Sequence, residues 1–230
     1  MSGDSMRSDH GPLALVGGGE WTEGCTFDRD LLAAAGAVDE VVVLPTGAAY
    51  ENPGKLMSRA GDWFEQLGLR VVEAPVLTRP HALDTGIAEV VRAARFLYLA
   101  GPNAMHLRSV LKDSPVLEAL LGAWRGGAVL AGTSAGADVL CDPMVDARGG
   151  AFTVGLGVVP NLAIIPHSNT WSHEKIHRTV ELVPKGITLA AVPEATALIK
   201  GTNGDWSVSG AGEVDVYVAG RPATLADLPA

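Results

Sequence analysis

The sequence predicts a three-layer α/β fold: a doubly wound, mostly parallel sheet with helices on both faces and a β-rich C-terminal end. Short, wholly apolar runs alternate with segments of helical period up to about residue 140, the pattern of a parallel sheet covered on both sides. Past Thr188, strand-like runs follow one another with no helix between them. At 230 residues and 47% hydrophobic, the chain suits one well-packed domain of this class.

In chain order, Met1 to Gly11 is polar and reads as a disordered leader, with 12–230 as a single domain. Leu13 to Val16 is the first strand and runs into Gly17-Gly18-Gly19-Glu20. That glycine run lacks the Lys-Ser/Thr of a P-loop, and Thr22 stands where a dinucleotide fingerprint needs glycine. A close backbone approach beside a site, or a plain turn, accounts for it. Phe27 to Ala35 is predicted helical and ends at Gly36, and Glu40 to Leu44 is the second strand. In Lys55 to Leu67 the apolar positions Leu56, Ala60, Trp63, Phe64 and Leu67 fall at helical spacing, which marks them as core. Strands at Val71 to Pro75 and Phe96 to Ala100 flank a helix at Thr85 to Arg95. Helices near Met105 to Lys112 and at Val116 to Trp124 lead to the strand Ala128 to Ala131. Asp142 to Phe152 reads as a loop, Leu162 to Ile165 as a strand, and Trp171 to Leu182 as a helix. The tail holds strands at Thr188 to Val192, Thr196 to Lys200, Trp206 to Ser209 and Val214 to Ala219, with Asn203-Gly204 as a hairpin signal.

The totals exclude several functions. A net charge of −9 with scattered acids argues against nucleic acid or an anionic membrane as partner. Cys25 and Cys141 are too few for a disulfide framework, and no zinc-ligand spacing occurs. The first residues lack the apolar stretch of a signal peptide, and no run is long enough to span a bilayer. A cytoplasmic setting is the expectation, with mean hydropathy +0.22 reflecting a large core.

The chemistry centres on Gly132-Thr133-Ser134-Ala135-Gly136, a G-x-S-x-G between an apolar run and a predicted helix. This is the sequence form of a nucleophile elbow, in which a sharp turn presents a strained serine and only small neighbours allow the strand and helix to pack so close. A serine hydroxyl needs a base. His167 sits where an apolar strand ends, the edge at which sites gather in an open parallel sheet. His173 and His177 lie one helical turn apart but lack the glutamate of H-E-x-x-H. The imidazole needs an acceptor, and Asp146, Asp142 and Glu194 are all candidates. The oxyanion needs two backbone donors: Ala135, just past the serine, is one, and Gly101 could be the other, whereas Pro102 has no N–H.

Lipase-type α/β-hydrolases share a Ser-Ala-Gly elbow, but the upstream His-Gly-Gly loop is absent here and only 33 residues separate Ser134 from His167. That short spacing resembles the serine peptidase family of dipeptidase E and cyanophycinase, whose fold is like the class I glutamine amidotransferases (flavodoxin-like). The resemblance runs through Leu15-Val16-Gly17-Gly18-Gly19-Glu20, Val42-Val43-Leu44-Pro45-Thr46 and Ala100-Gly101-Pro102-Asn103. It continues in Gly132 to Ala137, Gly155 to Pro160 with Pro166-His167, and Val192 to Ala197.

The resemblance implies Ser134 as nucleophile, His167 as base, and Gly101 and Ala135 as oxyanion donors. The triad acid would lie in the loop after the elbow, where Asp146 fits best; Asn103, Glu194 and Gly18 would meet substrate. It implies hydrolysis of a small peptide or isopeptide bond, aspartyl in class, through an acyl-enzyme, with no cofactor or metal and with a homodimer left open. An esterase acting on a non-peptide substrate and an inactive ligand-binding relative are the competing readings. The chain has Ile165-Pro166 where cyanophycinase-like members carry Asp-Gln, and Asn169, Trp171 and His173 where they carry an arginine cluster. Pro166-His167 is closer to dipeptidase E.

Overall fold

A computed structural model describes residues 10–230. The expected leader falls mostly outside the described residues, but its last part is built into the domain. Gly11 is buried, exchanging hydrogen bonds with Trp124 through backbone and indole N–H, and His10 stacks on the Trp124 ring at 4.4 Å. His10 and Gly11, expected within the leader, thus pack against the helix Pro115–Arg125 of the domain.

The chain opens with β1 (Leu13–Val16), α1 (Phe27–Ala35), β2 (Glu40–Leu44), α2 (Pro53–Gln66) and β3 (Arg70–Glu73). Next come α3 (Arg79–Ala82), α4 (Thr85–Ala93), β4 (Phe96–Leu99), α5 (Ala104–Leu111), α6 (Pro115–Arg125), β5 (Val129–Thr133) and α7 (Ala135–Leu140). The second half holds β6 (Cys141–Asp142), β7 (Met144–Val145), β8 (Phe152–Thr153), β9 (Val159–Pro160), β10 (Leu162–Pro166) and α8 (His173–Glu181). It ends with β11 (Thr188–Val192), β12 (Thr196–Lys200), β13 (Trp206–Gly210), β14 (Asp215–Val218) and β15 (Arg221–Ala223).

Seven strands form the central sheet in the order β13-β12-β1-β5-β4-β2-β3. The run from β1 to β3 is parallel, and β12 and β13 add antiparallel at one edge. Two apolar clusters cover its faces, one around Leu15, Leu99 and Leu130, the other around Phe64, Phe96 and Tyr98. That is the three-layer arrangement expected.

Helix α2 shows how local sequence builds a layer. Asn52 caps it by accepting the Lys55 N–H, Pro53 fixes its first turn, and Leu56, Ala60 and Phe64 share its buried face. Trp63 is only partly buried, and its indole N–H donates to Asp28.

The C-terminal strands divide between two sheets. β10 and β11 leave the central sheet and form the middle of a six-stranded one, β15-β14-β11-β10-β6-β9. The stretch predicted as a loop, Asp142 to Phe152, instead contains β7 paired antiparallel with the start of β8, a two-strand hairpin too short to leave a periodicity signal.

Candidate active site

The C-terminal ends of β1, β4, β5, β10 and β11 meet in one cleft, and the glycine loop after β1 holds three of them together. Three successive carbonyls each take one backbone N–H. Val16 accepts from Ser134 at 2.9 Å, Gly17 from His167 at 2.6 Å and Gly18 from Ala195 at 2.7 Å. The run that resembled a phosphate loop is thus a backbone clamp joining the two sheets.

Ser134 has φ 53° and ψ −118°, a conformation a non-glycine residue adopts only when its surroundings impose it. The surroundings do. A Cβ on Gly136 would lie 2.0 Å from the Leu99 carbonyl oxygen, so only glycine lets α7 start this close to β4. Ser134 Oγ lies 2.8 Å from His167 Nε2, and His167 Nδ1 lies 2.7 Å from Glu194 Oε1. A carboxylate can only accept, so Nδ1 carries the proton, and the Nε2 lone pair receives the Ser134 hydroxyl. This is a serine, base and acid relay of the kind that activates a hydroxyl for attack on an acyl carbon. The turn behind His167 is tied down by Thr170, whose hydroxyl donates to the His167 carbonyl, and Asn169 accepts the Glu194 N–H.

Asp146, the acid expected on His167, is not there. Its carboxylate receives the Arg148 backbone N–H and both Nε and Nη2 of that guanidinium, which hold its pKa down at about 2. Asp142 accepts the Gly155 N–H and belongs to the wall of the fold. Glu194, expected as a substrate contact and also weighed as an acid, stands at Nδ1. Gly18 lies under the imidazole, where a Cβ would sit 2.1 Å from Cε1. Asn103 lines the cleft, but its side-chain oxygen caps α5 by accepting the His106 N–H. Gly101 and Ala135 both line the cleft beside Ser134, and Ala135 opens α7, so its N–H has no acceptor within the helix.

Ser134 and His167 stand between two lobes. The smaller, about 300 Å³, is lined by Glu20, Lys55, Arg59 and Gly101; the larger, about 580 Å³, by Met105, Met144, Arg148 and Trp171. Sequence reading gave no role to Glu20, Lys55, Arg59, Met105, Met144 or Arg148. Glu20 accepts the Thr133 hydroxyl at 3.1 Å and pairs with Arg59 at 3.5 Å; its signal was a lone acid directly after the glycine run. Two further acids are buried. Asp28 takes hydrogen bonds from Trp63 and Tyr98, and burial pushes its pKa up to about 7; burial likewise raises Asp138, which accepts the Val145 N–H. Among the described residues no three His, Cys, Asp or Glu side chains cluster as a metal would require.

The family model of peptidase family S51 matches residues 13–204. Cyanophycinases of Trichormus variabilis and Synechococcus elongatus are 29% and 27% identical over 67% and 70% of the chain. The chain spans about half the length of these curated relatives, 56% and 54%. The crystal structure of a peptidase from an acI-B1 Actinobacterium superposes with a TM-score of 0.83, 27% identity and 93% coverage of both chains. A putative peptidase E protein from Listeria monocytogenes shares the fold at 17% identity and a TM-score of 0.62, covering 91% of this chain and 98% of its own.

Proposed function

The chain belongs to peptidase family S51, and from that membership we propose that it is a serine-type peptidase that hydrolyses a small peptide or isopeptide amide, aspartyl in class, through an acyl-enzyme. The observation carrying this reading is the unbroken relay from Glu194 through His167 to Ser134, 2.7 Å and 2.8 Å long.

Ser134 Oγ attacks the scissile carbonyl carbon as its proton passes to His167 Nε2. Glu194 holds the Nδ1 proton and stabilises the imidazolium. The N–H groups of Ala135 and Gly101 receive the developing oxyanion. Collapse breaks the C–N bond and hands the proton on Nε2 to the departing amine. Water then attacks the ester with His167 again as base, releasing the acid and restoring Ser134.

A fluorophosphonate probe should label Ser134 and fail on Ser134→Ala, and aspartyl dipeptides should be cleaved with matching loss in that variant. Strong turnover of activated esters with no amide hydrolysis would instead make the protein an esterase. No labelling at all would leave it a binding protein.

A further inference from the structure

We infer that the larger lobe beside Ser134 is a subsite for a bulky apolar side chain; this rests on the peptidase reading above. Both lobes share Glu51, Pro102, Ser134 and His167, so the scissile bond lies at their junction and each lobe holds the chain on one side of it. The smaller lobe carries four charged side chains, Glu20, Glu51, Lys55 and Arg59, beside Ala48 and Leu56. The larger one presents a greater share of apolar surface.

Three of its polar side chains are already engaged within the protein. Asp146 is held by Arg148, Asn103 by the His106 N–H, and Asp138 by the Val145 N–H. Apart from Glu51 at the junction of the lobes, a ligand meets apolar surface from Pro102, Met105, Pro166 and Trp171, backed by the buried Met144 and Val145. Met105 is 58% exposed at the rim, an adaptable side chain open to solvent. Trp171 is held in place by the Lys175 ammonium, 3.4 Å from its ring centroid. A flat rigid ring and a flexible methionine lining one lobe suit leucine or phenylalanine, whose burial is the main source of affinity such a pocket can offer.

The test is a series of dipeptides Asp-X and X-Asp, with X as Leu, Phe, Ala, Asp or Arg. Two readouts are taken: kcat/KM by release of the free amino acid, and protection of Ser134 from fluorophosphonate labelling. Leu and Phe on one side of the bond should exceed Ala and Arg by tenfold or more, in turnover or in protection. Trp171→Ala and Met105→Ser should compress the Leu-to-Ala ratio below threefold. Arginine or alanine peptides that serve as well as leucine ones, with Ser134 still labelled, would overturn the subsite and leave the peptidase reading intact. Absence of labelling would overturn both.

Discussion

Glu194 Oε1 lies 2.7 Å from Nδ1 of His167, on the ring nitrogen opposite the one that faces Ser134. The contact spans two strands: β10 and β11 are parallel with Pro166 opposite Val192, so the residues just beyond their ends emerge side by side. Removing the carboxylate charge leaves the ring without its anchor. Glu194→Gln should lower kcat by about 10³-fold, and Ser134→Ala or His167→Ala by about 10⁴-fold or more. Asp146→Asn should cost at least roughly tenfold less than Glu194→Gln, because Asp146 serves Arg148 instead. Steady-state rates on one dipeptide rank the four variants; equal losses for the two acid variants would refute the assignment of Glu194.

Gly18→Ala tests the clamp. The new methyl would sit 2.1 Å from Cε1 of His167 at a backbone φ of +105°, so the ring must swing away from Ser134. We expect kcat to fall by about 10²-fold or more with KM less affected, since a displacement near 1 Å suffices for such a loss. Fluorophosphonate labelling at the wild-type rate would show the ring had not moved.

Gly136→Ala tests the elbow as a structural device. Its Cβ would meet the Leu99 carbonyl oxygen at 2.0 Å, a backbone atom that cannot rotate aside. A stability loss of about 3 kcal/mol is expected, at the upper end of overpacking costs, read as a lower urea midpoint with unchanged m-value. A midpoint equal to the wild type would mean that α7 can slide along β4.

Asp28 should give the fold a pH dependence. Burial raises its native pKa from 3.8 to about 7, so between these values the native state holds a proton that the unfolded chain has lost. Stability from this group is therefore greatest below about pH 4 and declines as pH rises towards 7. Asp28→Asn mimics the protonated acid, its one carbonyl oxygen accepting from Trp63 while its amide N–H can donate to the Tyr98 hydroxyl. The stability of wild type relative to this variant should fall across that window in urea titrations, and a difference that does not change with pH would refute the shift.

Helix and strand positions were legible wherever periodicity or a continuous apolar run extended over several residues, as in α2 and β5. The elbow was legible for a steric reason: Gly132 is required by the turn itself, where a Cβ would meet the Gly136 carbonyl oxygen at 2.5 Å, and Gly136 by the close approach of β4. His167 could be read from the end of its strand. What stayed hidden depends on pairing between distant segments. Nothing within Asp142 to Phe152 separated Asp146 from Glu194 as the acid, because that choice follows from the β10–β11 register and from the capture of Asp146 by Arg148. The same holds for Gly17 to Gly19, whose sequence allowed a turn or a binding loop; only folding showed the Gly17 and Gly18 carbonyls, with that of Val16 before them, taking up the N–H groups of His167, Ala195 and Ser134. The sequence by itself determined the elbow and the layers, since local sterics and hydrophobic period act within a few residues. The tertiary structure decided the acid, the clamp and the two lobes, since each is made where strands far apart in the chain end together.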